Sequence, residues 1–352
     1  MTVPLPRFDH LARLTDENGT FEHADHAVPR PEHGYCTDDM ARVLVVTSRE
    51  PDPDPVVAQL SRTALRFVVE AQDGHGASRN RMDHQGRWLD TPDVGDCWGR
   101  SLWGLGTAAA HSQDHTVRKA ALAYFERGTE QRSPWPRAMA FAALGAAEVV
   151  ATRPGHIRAR GLLAAAADVL SELRPGPTWT WPEIRLTYAN AVLPDAMIAT
   201  GVALGRRGLR DDGLALLAWL LDHETTAGHL SVTPAGGSGP QDTRPAFDQQ
   251  PIEVAALADA CARAARLAGS DRWPTGDPME RVDPRTYLDG LDRAVGWFTG
   301  DNDRGAVMWD PDTAGGYDGL GDRGPNLNQG AESTLALIST LQHARDLAPA
   351  VS

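Results

Sequence analysis

Two adjacent carboxyl groups, those of Asp38 and Asp39, stand where an apolar helix is predicted to begin. The start of a helix leaves backbone N–H groups unpaired, and a polar side chain there can accept a hydrogen bond from one of them. Thr37 and Asp38 are both suitable as that cap. Because two adjacent acids cannot both cap one helix, at least one is predicted to point elsewhere, although both also complement the helix dipole.

Polar side chains recur at later helix entrances. The further candidate site residues of this kind are Arg42, Asp96, Arg100, Glu183, Tyr188, Asn190, Gln250, Glu253, Asn328 and Glu332. Aromatic residues lie in or beside the same loops, namely Trp88, Trp98, Trp135, Trp179, Trp181 and Tyr317. Each position also has an ordinary structural interpretation, since Glu183 can pair with Arg185 and Glu332 can bond back to its own helix start as in a capping box. The aromatic rings can equally be packing residues.

This combination of side chains suits carbohydrate chemistry. Carboxylates and amides hydrogen-bond to hydroxyl groups, while aromatic faces stack on the apolar faces of sugar rings. Cleavage of a glycosidic bond needs two carboxyl groups, one protonated to assist the leaving oxygen and one ionised as base or nucleophile. A crowded set of acids favours this arrangement, because like charges raise the pKa of one member.

The elements predicted to position these residues are about twelve alanine-rich amphipathic helices. Every second helix is entered from a polar and aromatic loop, and these helices begin near residues 38, 96, 136, 194, 251 and 330. Six helix pairs with this alternation predict an all-α (α/α)6 toroid, in which six inner helices run parallel and begin at one rim. A short β-hairpin is predicted in a loop, from Ser78–Met82 and Arg87–Asp90. The absence of a disordered linker favours a single domain over residues 1–352.

Composition excludes several classes of function. The chain has 352 residues and a formal net charge of −13, which argues against binding nucleic acid or an anionic membrane. Three widely spaced cysteines do not form a disulfide framework, and no secretory signal or membrane-spanning run is visible, so a cytoplasmic location is expected. The acids between Asp301 and Asp318 lack a complete calcium-loop pattern. No metal and no cofactor are therefore predicted, and the oligomeric state stays open.

Four stretches have a more specific pattern. They are Tyr35-Cys36-Thr37-Asp38-Asp39-Met40-Ala41-Arg42, Trp181-Pro182-Glu183, Leu186-Thr187-Tyr188-Ala189-Asn190-Ala191 and Gln329-Gly330-Ala331-Glu332-Ser333-Thr334. Together they resemble a bacterial group of six-hairpin glycosidase-like proteins, whose members occur alone or beside glycosyltransferases and mannoside-acting enzymes. The resemblance covers nearly the whole chain. It implies the (α/α)6 toroid and a carbohydrate context, and it assigns no particular reaction.

The leading hypothesis is a glycoside hydrolase that acts on an oligosaccharide or glycoconjugate, with Asp39 and Glu183 as the catalytic carboxyl groups. The other candidate residues would bind substrate, and inversion is favoured because carboxylates across a toroid's mouth tend to be far apart. Three alternatives stay open. They are other sugar chemistry in the same pocket (phosphorolysis, epimerisation or elimination), a non-catalytic glycan-binding accessory to a glycosyltransferase, and a terpene-cyclase-like toroid.

Overall fold

The structure, a computed structural model, describes residues 4–176, 178–268 and 284–348. These residues form twelve α-helices, which are α1 (Asp9–Arg13), α2 (Thr37–Ser48), α3 (Pro55–Ala71), α4 (Asp96–His111), α5 (His115–Gly128), α6 (Pro136–Thr152), α7 (Ile157–Ser171), α8 (Val192–Leu204), α9 (Arg207–His223), α10 (Pro251–Ala268), α11 (Pro284–Thr299) and α12 (Ala331–Leu347). Within this described part of the chain, no helix is both long and apolar enough to cross a membrane.

The helices form two concentric rings. The even-numbered helices pack side by side in the order α2, α4, α6, α8, α10 and α12, and α12 closes the ring on α2. The odd-numbered helices lie outside them. Each of these outer helices from α3 to α11 packs on the inner helix that precedes it in the chain, and α1 contacts α12. The predicted all-α (α/α)6 toroid is therefore confirmed, and its inner helices begin within two residues of the predicted positions.

Burial distinguishes the rings. Along the outer helix α3, buried residues such as Val57, Leu60, Ala64 and Phe67 recur at the spacing of one helical face. The inner helix α8 is buried at every position from 192 to 201. A helix that is apolar all round is stable only when it is surrounded, which is the situation in the inner ring.

Glycines bring two inner helices close together. A Cβ atom on Gly106 of α4 would lie 2.3 Å from the carbonyl oxygen of Gly145 on α6, which is closer than any real side-chain contact. A side chain at Gly106 would therefore push the two helices apart. The tight α4–α6 contact also fixes the relative positions of Arg100 and Arg137, which lie near the starts of these helices.

In the described ranges, eight short strands pair in the loops that lead from an outer helix to the next inner helix. They are β1 (Ala24–Asp25) with β2 (Val28–Pro29), β3 (Tyr35–Cys36) with β4 (Arg81–Met82), β5 (Thr225–Thr226) with β6 (His229–Leu230), and β7 (Gly319–Gly321) with β8 (Gly324–Asn326), all antiparallel. The hairpin predicted from 78–82 and 87–90 is only partly present. Met82 bridges Trp88, but the main partner of β4 is β3, which is distant in sequence.

The start of α2 also differs from the prediction. The helix begins at Thr37, and its cap is Cys36, whose sulfur accepts a hydrogen bond from the backbone N–H of Asp39 at 3.4 Å. The prediction that Thr37 or Asp38 caps this helix is therefore wrong. Both acids lie in the first turn instead, which leaves their carboxyl groups available for side-chain contacts. The predicted end of α10 near Gly269 falls outside the described residues.

Candidate active site at the mouth of the toroid

Three arginines lie just inside the mouth, and each binds carboxylates that face it. The first is Arg42 on α2, which donates to Glu332 of α12 at 2.6 Å and to Asp39 at 2.7 Å. The Cys36 thiol donates to the other oxygen of Asp39 at 3.1 Å, and the Asp39 side chain is 2% exposed. The Glu332 side chain is 43% exposed. Asp39 therefore contacts Arg42 from the buried side, whereas Glu332 contacts it from the open side of the mouth.

The second arginine is Arg100 on α4. Its guanidinium lies 3.3 Å from the carboxylate of Asp38 and 3.9 Å from that of Asp96, and it stacks over the ring of Phe141. Asp38 also accepts a hydrogen bond from the Asn80 side chain at 3.4 Å. Both acids are about one-fifth exposed, so both reach the mouth.

The third arginine, Arg137 on α6, was not predicted as a site residue. It donates two hydrogen bonds to the carboxylate of Glu183, at 2.6 and 2.8 Å, and one to the side-chain oxygen of Asn190 at 3.2 Å. Its Nε donates to the backbone oxygen of Tyr188, and its guanidinium lies 4.8 Å from the Tyr188 ring centre. The sequence feature that could have identified Arg137 is its position as the second residue of a predicted inner helix.

Glu253, buried at the start of α10, holds the loop that carries these partners. It accepts hydrogen bonds from the backbone N–H of Ala189 at 2.5 Å, from the N–H of Asn190 at 3.1 Å and from the Asn190 side chain at 2.9 Å. Ala189 has a positive φ of 44°, which is unfavourable for a residue with a Cβ. Such strain persists only where surrounding contacts hold it. Glu253 and Asn190 therefore position Arg137 and Tyr188 rather than face the opening.

Burial and neighbouring charges shift the pKa values of the acids in different directions. Burial raises the pKa of Asp39 to about 6 despite the opposing charge of Arg42. Burial and the nearby Glu224 raise the pKa of Glu253 to about 8, although the hydrogen bonds from the backbone N–H groups of Asn190 and Ala189 act to lower it. Burial also acts to raise the pKa of Glu332, but the charges of Arg42 and Arg100 outweigh it and the pKa is lowered. The site therefore combines one acid whose pKa is lowered, Glu332, with two enclosed acids, Asp39 and Glu253, whose pKa values are raised.

Three other predicted site residues have different surroundings. The Trp181 ring is 1% exposed and stacks near Trp219, so it is a packing residue rather than an open sugar platform, and its Nε1 donates to Glu183 at 3.1 Å. Gln250 donates to the backbone oxygen of Asp248 at 3.4 Å. Asn328 accepts from the backbone N–H of His26 at 3.0 Å. The latter two fasten rim loops.

The aromatic side chains that are exposed near the mouth are those of Trp135, 63% exposed, and Tyr188, 45% exposed. Trp135 precedes the first residue of α6, and Tyr188 lies over Arg137. Burial and the neighbouring Asp96 raise the pKa of the Tyr188 phenol to about 12, so it is a hydrogen-bond donor at neutral pH. Among the described residues, these two rings are exposed enough to stack on a ligand beside the arginine-bound carboxylates.

One group of potential metal ligands occurs in the described residues, formed by Glu22, Cys36 and Asp39 within 4.8 Å of one another. Its carboxylates already have cationic partners, because Asp39 binds Arg42 and Glu22 binds Arg81. Burial also raises the pKa of the Cys36 thiol well above its usual value, which opposes the thiolate that a metal needs. These three residues therefore do not suit a cation.

No family model and no curated protein matches the chain, whereas solved structures do. A sugar epimerase from a ruminal bacterium is 11% identical, with a TM-score of 0.68 over 96% of each chain. A cellobiose 2-epimerase from Bacillus thermoamylovorans is 12% identical, with a TM-score of 0.68 over 97% of this chain and 96% of that one. A cellulase of C. cellulolyticium, solved with cellobiose, is 10% identical, with a TM-score of 0.59 over 94% and 88%. These likenesses show that the chain shares the (α/α)6 toroid fold of these structures.

Proposed function

We propose that this chain is a carbohydrate-processing enzyme and that its reaction is hydrolysis of a glycosidic bond at the mouth of the toroid. The observation that carries the proposal is the set of carboxylates held around one opening by three buried arginines. Glu183 and Glu332 are both partly exposed there, and each is fixed by an arginine from a different inner helix. Fixed carboxylates next to exposed aromatic rings suit a ligand that is rich in hydroxyl groups.

The proposed roles follow from protonation. Hydrolysis needs one carboxyl group that carries a proton and one that is ionised. Asp39, with a pKa of about 6, retains a proton in part of the molecules near neutral pH. Glu183 and Glu332 provide carboxylates at the opening, and the lowered pKa of Glu332 keeps it ionised. Because Asp39 is enclosed, the proposal requires Arg42 to shift when substrate binds so that the proton can be delivered.

The test is to incubate the protein with α- and β-linked gluco-, manno- and arabino-oligosaccharides between pH 4 and 9 and to measure released sugar. A hydrolase with these two kinds of carboxyl group should show a bell-shaped pH profile. The matched control is Glu183→Gln, which keeps the size of the side chain but cannot ionise. Calorimetric binding of a sugar without product at any pH, with or without phosphate, would instead establish a glycan-binding module.

Epimerisation is the second candidate, because two solved structures that match this chain over nearly their whole length are described as epimerases. An epimerase leaves the glycosidic bond intact and exchanges a carbon-bound proton with solvent. Incubation of cellobiose or mannobiose in heavy water distinguishes the reactions. Hydrolysis releases monosaccharide, whereas epimerisation gives a disaccharide of unchanged size that has gained one deuterium.

A further inference from the structure

A narrow cavity continues from the mouth along the axis of the toroid, and we call it the throat. Arg42 and Arg100 line its upper end. Below them its wall is apolar and receives side chains from all six inner helices, among them Val45, Trp103, Phe141, Val192, Ile252 and Leu335. At the deep end, Asp195 and Asp259 are already paired with arginines. The throat is therefore an apolar pocket directly beneath the candidate site.

The volume of the throat limits what can enter it. The cavity measures about 40 Å³, and a single water molecule needs roughly 10–15 Å³ on the same measure. The throat thus accommodates about three non-hydrogen atoms. Hydroxyl groups of a sugar would lose their hydrogen bonds in these apolar surroundings, which is unfavourable. A small apolar group attached to the sugar is the better occupant.

A polar atom at the upper end indicates what the group carries. The two terminal nitrogens of Arg42 donate to Glu332 and Asp39, whereas its Nε is buried and has no hydrogen-bond partner among the described residues. A buried donor without a partner costs free energy, and a ligand acceptor relieves that cost. An oxygen next to the apolar group meets this requirement. A carbonyl attached to a methyl group, the acetyl group, has the right size and polarity.

We propose, on the basis of the function proposed above, that the substrate sugar carries a short acyl group of acetyl size, as an ester or an amide. The methyl group enters the throat and contacts Phe141 and Val192, while the carbonyl oxygen faces the Nε of Arg42. The sugar ring then remains at the mouth, where Glu183 and Glu332 lie. The throat acts as a specificity pocket that distinguishes acylated from unsubstituted sugar units.

The first experiment measures binding by calorimetry. The probes are methyl glucosides and methyl mannosides, each compared with its mono-O-acetyl derivatives and, at position 2, with its acetamido analogue. We expect one acylated form to bind about tenfold more tightly than its parent, the discrimination that one small apolar group gives in a fitted pocket. Equal binding of parent and acylated sugars would overturn this inference and leave the proposed function intact. No binding of any of these sugars, and no turnover of the oligosaccharides, would overturn both.

Two variants on one face of α10 test the throat itself. Ala256→Val narrows it, and Ile252→Ala, one turn away, widens it. The first should abolish the preference for the acetyl derivative without weakening the parent sugar, and the second should shift the preference towards propionyl or butyryl. Ala199→Val on α8, which faces the cavity at the opposite end of the toroid, is the matched control and should leave the preference unchanged. A folded Ala256→Val variant that keeps the tenfold preference refutes the assignment.

Discussion

Arg137 holds Glu183 and the loop before α8 in place, and its replacement by alanine should measurably destabilise the protein. The side chain is 8% exposed and donates four hydrogen bonds, two of them to Glu183. Alanine would leave the carboxylate of Glu183 without its counter-ion and the backbone oxygen of Tyr188 without its donor, and the Asn190 oxygen would keep only the N–H of Thr187. The same change should therefore disturb both the stability and the geometry of the site.

The magnitude follows from burial. Breaking a fully buried ion pair by removing one partner costs about 3–5 kcal/mol. The Glu183 side chain is 29% exposed, so water can partly solvate it in the variant. We therefore expect a loss of about 2–3 kcal/mol in the free energy of unfolding. At about 1.4 °C per kcal/mol for a chain of 352 residues, the melting temperature should fall by roughly 3–4 °C.

The control is Arg185→Ala. Sequence alone suggests Arg185 as the partner of Glu183, yet its side chain is 42% exposed and pairs with Asp242 at 3.2 Å. An exposed pair contributes about 0–1 kcal/mol, so this variant should melt within roughly 2 °C of the wild type. Arg137→Lys should fall between the two, because an ammonium keeps the charge but cannot form the two-pronged contact. Equal melting temperatures for the two alanine variants, measured by differential scanning calorimetry, would refute the reasoning.

Three further predictions concern activity, metals and pH. Asp39→Asn and Glu183→Gln should each abolish sugar release with melting temperatures within a few degrees of wild type, and near-normal turnover of either variant would remove that residue from the proposed chemistry. EDTA should change neither activity nor melting temperature, because the one ligand cluster of the described chain already pairs with arginines; a fall that calcium or zinc restores would contradict this. The raised pKa of Glu253, about 8, means that the folded state binds its proton more tightly than the unfolded state. The stability that this proton provides should be lost as pH rises from about 4.5 through 8. The difference in unfolding free energy between wild type and Glu253→Gln should therefore change across that range. A constant difference would show that Glu253 does not titrate there.

The fold was predictable from sequence because two independent patterns agreed. Apolar helices of similar length alternate with loops, and every second loop carries acids, amides and tryptophans. The apolar pattern indicates where helices lie, and the polar loops indicate which of those helices belong to the inner ring. Inner helices such as α8 are apolar on all sides, which strengthens the same assignment. The helix starts were therefore found to within two residues, whereas the cap of α2 was missed because a cysteine is an uncommon cap.

The pairing of side chains at the mouth was less predictable. Helical spacing places Asp96 and Arg100 one turn apart, which favours a contact within α4. In the structure the closer partner of Arg100 is Asp38, which belongs to the neighbouring helix. Likewise Glu183, in the loop before α8, pairs with Arg137 of neighbouring α6 rather than with nearby Arg185. Sequence spacing does not reveal contacts between helices that lie side by side only in the closed toroid.

These contacts explain why the shape of the mouth and its charges cannot be altered independently. Arg42 joins α2 to α12 through Glu332, Arg100 joins α4 to α2 through Asp38, and Arg137 joins α6 to the loop before α8. Each arginine therefore ties neighbouring parts of the inner ring together and is at the same time the counter-ion of a carboxylate at the opening. A substitution that removes an acid also loosens a joint between helices. Amide replacements, which keep most of the hydrogen bonds, are consequently the changes that can separate chemistry from architecture at this site.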